Sequence, residues 1–125
     1  MRVLVTGGRE YTDKETVYST LSKFAEQGIT ITTLVHGSAR GLDTLAKNWA
    51  EENGILPEAY PITPEEWDKY GKKMGHIRNK KMLDSGVDCL VAFPGGPGTA
   101  DMISQVEKAN KKGANIPIWR IKTKK

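Results

Sequence analysis

The stretch VDCLVAFPGGPGT, residues 87–99, joins an almost wholly apolar run to a loop that contains three glycines and two prolines. A short apolar run bounded by turn residues is typical of a strand that is buried on both faces of a sheet. The segment that follows has apolar residues at helical spacing, at Met102, Ile103, Val106 and Ala109. The stretch therefore predicts a strand, a glycine-rich turn and a helix in direct succession.

The same unit recurs elsewhere in the chain. RVLVT at residues 2–6 precedes a turn and a helical stripe, and the β-branched run at 29–35 precedes the loop HGSARG at 36–41 and another helical stripe. Shorter strands are predicted at 56–62 and 116–121. Strands that alternate with helices predict an α/β fold, here a single domain over the whole chain, with a mostly parallel sheet and helices on both faces.

A more polar helical region lies between the third and fourth predicted strands. Thr63 and Pro64 form a typical helix start, with the threonine as cap and the proline in the first turn. A break in the helix is predicted at Gly75. The aromatic residues Trp67 and Tyr70 are interpreted as packing this helix onto the body of the protein, with stacking on a base as the alternative.

Composition sets limits on the function. With 38% hydrophobic and 27% charged residues the chain is typical of a globular protein. No apolar stretch approaches the ~20 residues of a membrane span, and no secretory signal is evident, so we expect a cytoplasmic protein without a membrane partner. Cys89 lies within the apolar run, which predicts a packed thiol rather than a reactive one.

Positive charge is concentrated near the C-terminus. The net charge of the chain is +4, and residues 107–125 contribute seven Lys or Arg and one acid, or +6, which leaves −2 for residues 1–106. A lysine-rich end most often keeps a protein in solution, and contact with nucleic acid is the less favoured alternative.

The predicted topology also places a ligand site. In a parallel sheet ligands bind beyond the carboxyl ends of the strands, where the strand order reverses. If the strands run in the order 3-2-1-4-5, the loops at 6–9 and 94–99 face each other there. Glycines let the backbone approach an anion closely, and the helix N-terminus adds positive charge, so we predict a phosphate site. PGGPGT is neither a Walker A loop nor a GxGxxG fingerprint.

The HGSARG loop extends this site, because it again offers glycines, a hydroxyl and an arginine between a strand and a helix. Arg9, Arg40 and Arg78 are predicted to converge on the phosphate, since the guanidinium fork matches its oxygens. The predicted ligand-binding residues are Thr6, Gly7, Gly8, Arg9, Gly37, Ser38, Arg40, Gly95, Gly96, Gly98 and Thr99.

Two histidines and two aspartates are further polar residues near the predicted loops. His36 and His76 lack cysteine or helical carboxylate partners, so no metal site is predicted. Asp43 and Asp101 are expected in the first turns of their helices, where an acid interacts favourably with the helix dipole.

Four motifs carry a family resemblance. TGGREYTD at 6–13, HGSARGLD at 36–43, HIRNKKMLD at 76–84 and AFPGGPGTADM at 92–102, in that order, resemble the YspA/YpsA-related branch of the SLOG superfamily. The resemblance implies a Rossmann-like fold, a homodimer, and the binding or processing of nucleotides or nucleotide-derived ligands such as ADP-ribose-like molecules. No other cofactor is implied.

The chain is also similar to the LOG phosphoribohydrolases, which cleave the N-glycosidic bond of nucleoside 5′-monophosphates. Their pattern is H-x-R-K followed by PGGxGTxEE, whereas this chain has Asn79 in place of the lysine and Asp101 and Met102 in place of the glutamates. The resemblance makes Arg78 and Asp101 the candidate catalytic residues. A carboxylate stabilises the charge that develops on the ribose, but Asp is one methylene shorter than Glu, and a displacement of ~1 Å can cost about 10²-fold in rate. We therefore favour binding without turnover, with hydrolysis as the alternative.

A second alternative comes from HGSARGLD, which is similar to the S-G-x-A-x-G-I-D stretch of the DNA-processing DprA proteins. This resemblance implies a module that binds single-stranded nucleic acid. Its phosphate contacts would come from the basic C-terminal segment and from a group of basic side chains. These are Lys72, Lys73, Arg78, Lys80 and Lys81.

Overall fold

A computed structural model describes residues 1–122. Its elements, in chain order, are β1 (Arg2–Thr6), α1 (Lys14–Glu26), β2 (Thr33–His36), α2 (Leu42–Glu52), β3 (Leu56–Ala59), α3 (Pro64–Tyr70), α4 (Lys73–Asp84), β4 (Cys89–Ala92), α5 (Pro97–Lys111) and β5 (Ile118–Arg120). The five strands form one sheet in the order β3-β2-β1-β4-β5, and every neighbouring pair is parallel. The predicted α/β fold with a parallel sheet is confirmed.

Helices cover both faces of the sheet, as predicted. Because side chains alternate along a strand, Val3 and Val5 of β1 point to one face and Leu4 points to the other. The first face packs against α1 and α2, through residues such as Leu21 and Trp49. The second face packs against α4 and α5; its buried members on those helices are Met82, Met102 and Val106. Cys89 is buried in the first of these clusters, and burial raises the pKa of its thiol to about 11.

Several predicted boundaries are wrong. The predicted break at Gly75 lies instead at Gly71, which has a positive φ of 58° and ends α3. Gly75 remains inside α4, because the packing of Met74 and Met82 offsets the low helix propensity of glycine. β1 has its predicted bounds, 2–6, but the other four strands are shorter than predicted. β2, for example, starts at Thr33, since apolar residues also occupy the turn that leads into it.

Helix α5 begins earlier than predicted. It starts at Pro97, inside the PGGPGT loop, because the fixed φ of proline suits the first helical position. Asp101 consequently lies in the second turn and not in the first, so the expected contact with the helix N-terminus is wrong for this residue. Of the basic C-terminal segment, Lys108 and Lys111 fall in the last turn of α5, whereas Lys124 and Lys125 lie outside the described residues.

Three loops meet at the backbone of Gly8, just beyond β1. The Gly8 amide donates to the carbonyl of Pro94 at 3.0 Å, and the Gly8 carbonyl accepts from the amides of Tyr11 at 3.2 Å and Leu42 at 3.1 Å. The loops after β1 and β4 and the start of α2 are therefore joined at one residue. A Cβ added to Gly95 would lie 2.6 Å from the Gly8 nitrogen, so this close approach requires glycine.

No helix within residues 1–122 has both the length and the apolar character that crossing a membrane requires.

Gly41 provides a test of this junction. It has a φ of 76°, and a Cβ there would lie 2.5 Å from the carbonyl oxygen of Arg9 and closer still to that of Gly8. We expect Gly41→Ala to lower the free energy of unfolding by about 3 kcal/mol or more, because a steric clash with rigid backbone adds to the cost of a positive φ. Urea denaturation would measure the change.

The matched control is Gly54→Ala, since Gly54 has a φ of 68° but open space around it. It isolates the conformational cost, which should be about 1 kcal/mol. Equal losses for the two variants would contradict the proposed crowding at the junction.

Candidate functional site

A cavity of about 820 Å³ opens at the carboxyl edge of the sheet, next to the point where the strand order reverses between β1 and β4. The loops after β1, β2 and β4 all contribute to its wall, as the topology predicted. Ten of the predicted site residues line it. They are Thr6, Gly7, Gly8, Arg9, Gly37, Arg78, Gly95, Gly96, Gly98 and Thr99.

The N-terminus of α5 faces this cavity. Gly96 is the N-cap residue and has no side chain to cap the helix, and Pro97 has no amide hydrogen. The amides of Gly98 and Thr99, in the first turn, therefore have no partner within the helix. Together with the helix dipole they form an environment that favours an anion.

Gly8 acts differently from what the sequence predicts. It lines the cavity, but its amide already donates to Pro94 and is not available to a phosphate. What it contributes is the close approach of the two loops. Gly7 also serves a close approach, because a Cβ at this position would lie 2.5 Å from Cγ of Leu42.

Arg78 extends from α4 into the cavity wall. Its Nη1 donates to the carbonyl of Gly37 at 2.7 Å, and its Nε donates to Oδ1 of Asn79 at 3.3 Å. A Cβ on Gly37 would lie 2.5 Å from Nη1, so glycine at this position leaves room for the guanidinium. Burial lowers the pKa of Arg78, nearby Asp43 opposes that effect, and the positive charge of Arg9 lowers the pKa further.

Asp43 is a buried carboxylate in the same wall, with 7% of its surface exposed. Its Oδ2 accepts from the amide of Ala39 at 3.1 Å. Burial raises the pKa of Asp43, against the effect of the Ala39 amide and the charge of Arg78. Asp43 does lie in the first turn of α2, as predicted, but its place near Arg78 is not predicted, because it depends on where α2 and α4 lie on the two faces of the sheet.

Three predicted site residues do not line the cavity. Arg40 forms an ion pair with Glu10 at 2.5 Å, and its side chain is 73% exposed. Ser38 is exposed and has a φ of 59°, and its amide donates to Nδ1 of His36. The third is Asp101. Of the three arginines that were predicted to converge, Arg9 and Arg78 reach the cavity wall and Arg40 does not.

Asp101 lies instead at the contact between α4 and α5. Its carboxylate is 2.7 Å from Nδ1 of His76 and accepts from Nδ2 of Asn79 at 3.0 Å and Nε2 of Gln105 at 2.9 Å. Burial by itself raises the pKa of Asp101, but the hydrogen bonds from His76, Asn79 and Gln105 outweigh it, so the pKa is lowered. Asn79 also donates to the carbonyl of Gly98 at 3.2 Å, which ties this cluster to the glycine loop.

Further lining residues were not predicted as part of the site. Lys72 and Glu10 add charge, while Tyr11, Ile62, Trp67 and Met82 add apolar or aromatic surface. For Trp67 the sequence favours packing over stacking, because residue spacing does not reveal which way a polar helix turns its aromatic ring. Two of the lysines considered for nucleic-acid contact are paired, Lys80 with Asp84 and Lys81 with Glu66.

No group of three His, Cys, Asp or Glu side chains in residues 1–122 is arranged so that it could hold a metal ion. The fold and the cavity together define a Rossmann-like α/β protein whose glycine-rich loops and arginines surround a pocket at the switch point of the sheet.

Comparison with known proteins agrees with this description. The chain belongs to the YspA, cpYpsA-related SLOG family, whose family model matches residues 1–70. It is also 38% identical over 114 residues to the Gene 61 protein of Mycobacterium phage D29, a match that covers 86% of this chain and 90% of the phage protein. Membership of this family suggests a nucleotide-related binding role.

The Asp101 cluster makes a pH-dependent prediction. A carboxylate whose folded pKa lies below its ordinary value of 3.8 stabilises the fold above that value and loses its contribution as the pH falls through the folded pKa. We expect Asp101→Asn to be less stable than the natural protein at pH 7, by on the order of 1 kcal/mol, because charge-assisted hydrogen bonds are lost. The difference should shrink below about pH 4.

Urea denaturation of both proteins between pH 7 and pH 3 measures this difference. A difference that stays constant over the whole range would contradict an ionised, hydrogen-bonded Asp101.

Proposed function

We propose that the protein binds a nucleotide or a nucleotide-derived phosphate ligand, AMP-like or ADP-ribose-like, in the cavity at the carboxyl edge of the sheet, and that it acts as a sensor or carrier. One observation carries the proposal: the free amides at the start of α5 and the guanidinium of Arg78 line the same cavity. Main-chain amides at a helix N-terminus and arginine are two independent means of binding phosphate.

The electrostatics of the wall support an anionic ligand. Arg9, Arg78 and Lys72 line the cavity, and the charge of Glu10 is already paired with Arg40. Arg9 and Arg78 are near enough for each other's charge to matter, since Arg9 lowers the pKa of Arg78. A bound phosphate would offset this repulsion, so the two arginines favour the liganded state.

The size of the cavity supports a ligand larger than phosphate itself. Pockets for small organic ligands typically span about 300–1,000 Å³. The cavity of about 820 Å³ falls within that range and extends well beyond the glycine loops. A nucleotide can therefore be accommodated with its phosphate at the start of α5.

The position of Asp101 favours binding over hydrolysis. The carboxylate that the LOG resemblance assigns to the ribose is engaged by three side chains and does not line the cavity, and Met102 is fully buried in the core. Asp43 does line the cavity, but it is held by the Ala39 amide and balances Arg78. No carboxylate of the PGGPGTADM motif is therefore left to stabilise a developing charge on the ribose.

Thermal denaturation with AMP and with ADP-ribose tests the binding proposal. A ligand at 100 times its Kd should raise the free energy of unfolding by about 2.7 kcal/mol. We expect Arg78→Gln to weaken binding by about tenfold or more, because a hydrogen bond between charged groups is lost.

A variant with the same change of charge serves as the control. Arg120→Gln removes an arginine that is paired with Glu107, and neither residue lines the cavity, so this variant should bind as the natural protein does. Equal weakening by Arg78→Gln and Arg120→Gln would show a general charge effect and would contradict a specific site. Absence of any shift with AMP, ADP-ribose and inorganic phosphate would overturn the proposal.

The alternative activity has its own test. Incubation with AMP followed by chromatography should detect no free adenine above the rate of the buffer control, and Asp101→Asn should behave identically. Release of adenine that depends on Asp101 would establish the phosphoribohydrolase alternative. A salt-dependent gel shift with single-stranded DNA would likewise support the nucleic-acid alternative.

A further inference from the structure

Helix α3 stands apart from the hydrophobic core. None of its seven residues is buried. It is fixed by a capping box, in which Glu66 and Thr63 exchange backbone and side-chain hydrogen bonds, and by the ion pair of Glu66 with Lys81 of α4 at 3.6 Å. Helix α3 carries a large apolar side chain, Trp67, and packing in the hydrophobic core does not explain its presence.

Trp67 lines the cavity, and 45% of its surface is exposed. Other aromatic rings have partners: Tyr11 packs at 5.7 Å from Phe93, and Trp119 packs at 4.4 Å from Phe24, between ring centroids. Within residues 1–122, Trp67 has neither an aromatic partner nor an acceptor for its indole N–H. Trp49, by contrast, donates its indole N–H to Ser22 at 3.1 Å.

A single exposed apolar side chain needs no explanation by itself. Trp67 differs from such a residue in its location, because the cavity it lines is also lined by the glycine loops, Arg9 and Arg78. Ile62 and Met82 add apolar surface to the same cavity. The wall thus combines phosphate-binding chemistry with an unpartnered aromatic residue, which is the combination that suits a nucleotide, with a phosphate at one end and an aromatic base at the other.

We propose that Trp67 is a specificity-determining residue that stacks on a planar aromatic base, and that the ligand is a base-bearing nucleotide rather than a sugar phosphate. This inference rests on the proposed function, since the phosphate of the same ligand occupies the start of α5. The phosphate end supplies charge recognition, which is common to all phosphate esters. Trp67 supplies the selection for a base.

The test compares two probes that differ only in the base, AMP and ribose 5-phosphate, by isothermal titration calorimetry. The natural protein should bind AMP about tenfold or more tightly than ribose 5-phosphate, because stacking on an aromatic side chain contributes that much. Trp67→Leu should lose this advantage while its affinity for ribose 5-phosphate is unchanged. Trp67→Phe should retain most of it.

The matched control is Tyr70→Leu. Tyr70 lies on the same helix and is 41% exposed, but it does not line the cavity, so its removal should leave the preference for AMP intact. Since α3 buries no residue, neither variant should lower the free energy of unfolding appreciably, which urea denaturation checks.

The outcomes separate the two proposals. Equal affinity of the natural protein for AMP and ribose 5-phosphate would overturn the stacking role and leave the phosphate site standing. The stacking role would also be overturned if Trp67→Leu and Tyr70→Leu weakened AMP binding to the same extent. It would likewise be overturned if Trp67→Leu weakened the binding of AMP and of ribose 5-phosphate equally. Failure of both probes to bind would overturn the phosphate site and the stacking role together.

Discussion

The structure depends on the backbone of Gly8, where three loops are joined by hydrogen bonds. Its amide holds Pro94 of the loop after β4, and its carbonyl holds the amides of Tyr11 and Leu42. Because these bonds are between main-chain atoms, they position the loops with little freedom. Glycine at positions 41 and 95 lets the backbones of these loops come close to the backbone of Gly8. The glycine-rich sequence therefore serves first to bring the loops together. The Gly8 amide is used in this junction, whereas the amides of Gly98 and Thr99 at the start of α5 have no partner within the helix.

This junction explains why charge collects in one cavity. Once the loops are joined, Arg9 follows β1 directly, and Arg78 reaches across from α4 to the Gly37 carbonyl. Asp43, in a buried position, balances part of the charge of Arg78. Arg40 is directed to Glu10 and takes no part. The cavity thus combines positive side chains with loops held together by main-chain hydrogen bonds, and of these side chains Arg78 is fixed by its bond to Gly37.

The α4–α5 contact has a separate role. Asp101, His76, Gln105 and the buried Asn79 form one hydrogen-bonded cluster, and Asn79 links it to both Arg78 and the Gly98 carbonyl. In the LOG pattern an acidic pair follows the glycine loop, whereas here the first acid stabilises the helix contact and the second position, Met102, belongs to the core. Residues 79, 101 and 102 therefore stabilise the contact between α4 and α5 and the core beside the glycine loop.

The sequence by itself determined the architecture, because buried strands such as 89–92 are continuous apolar runs and the helices repeat their apolar residues at helical spacing. Together with the strand order it also located the cavity, since PGGPGT and TGGR follow neighbouring strands. Only the tertiary structure decided which side chains enter the cavity. Arg40 and Asp101 turn away while Asp43 and Trp67 line it, because those directions depend on how the helices pack, and residue spacing along the chain does not specify them.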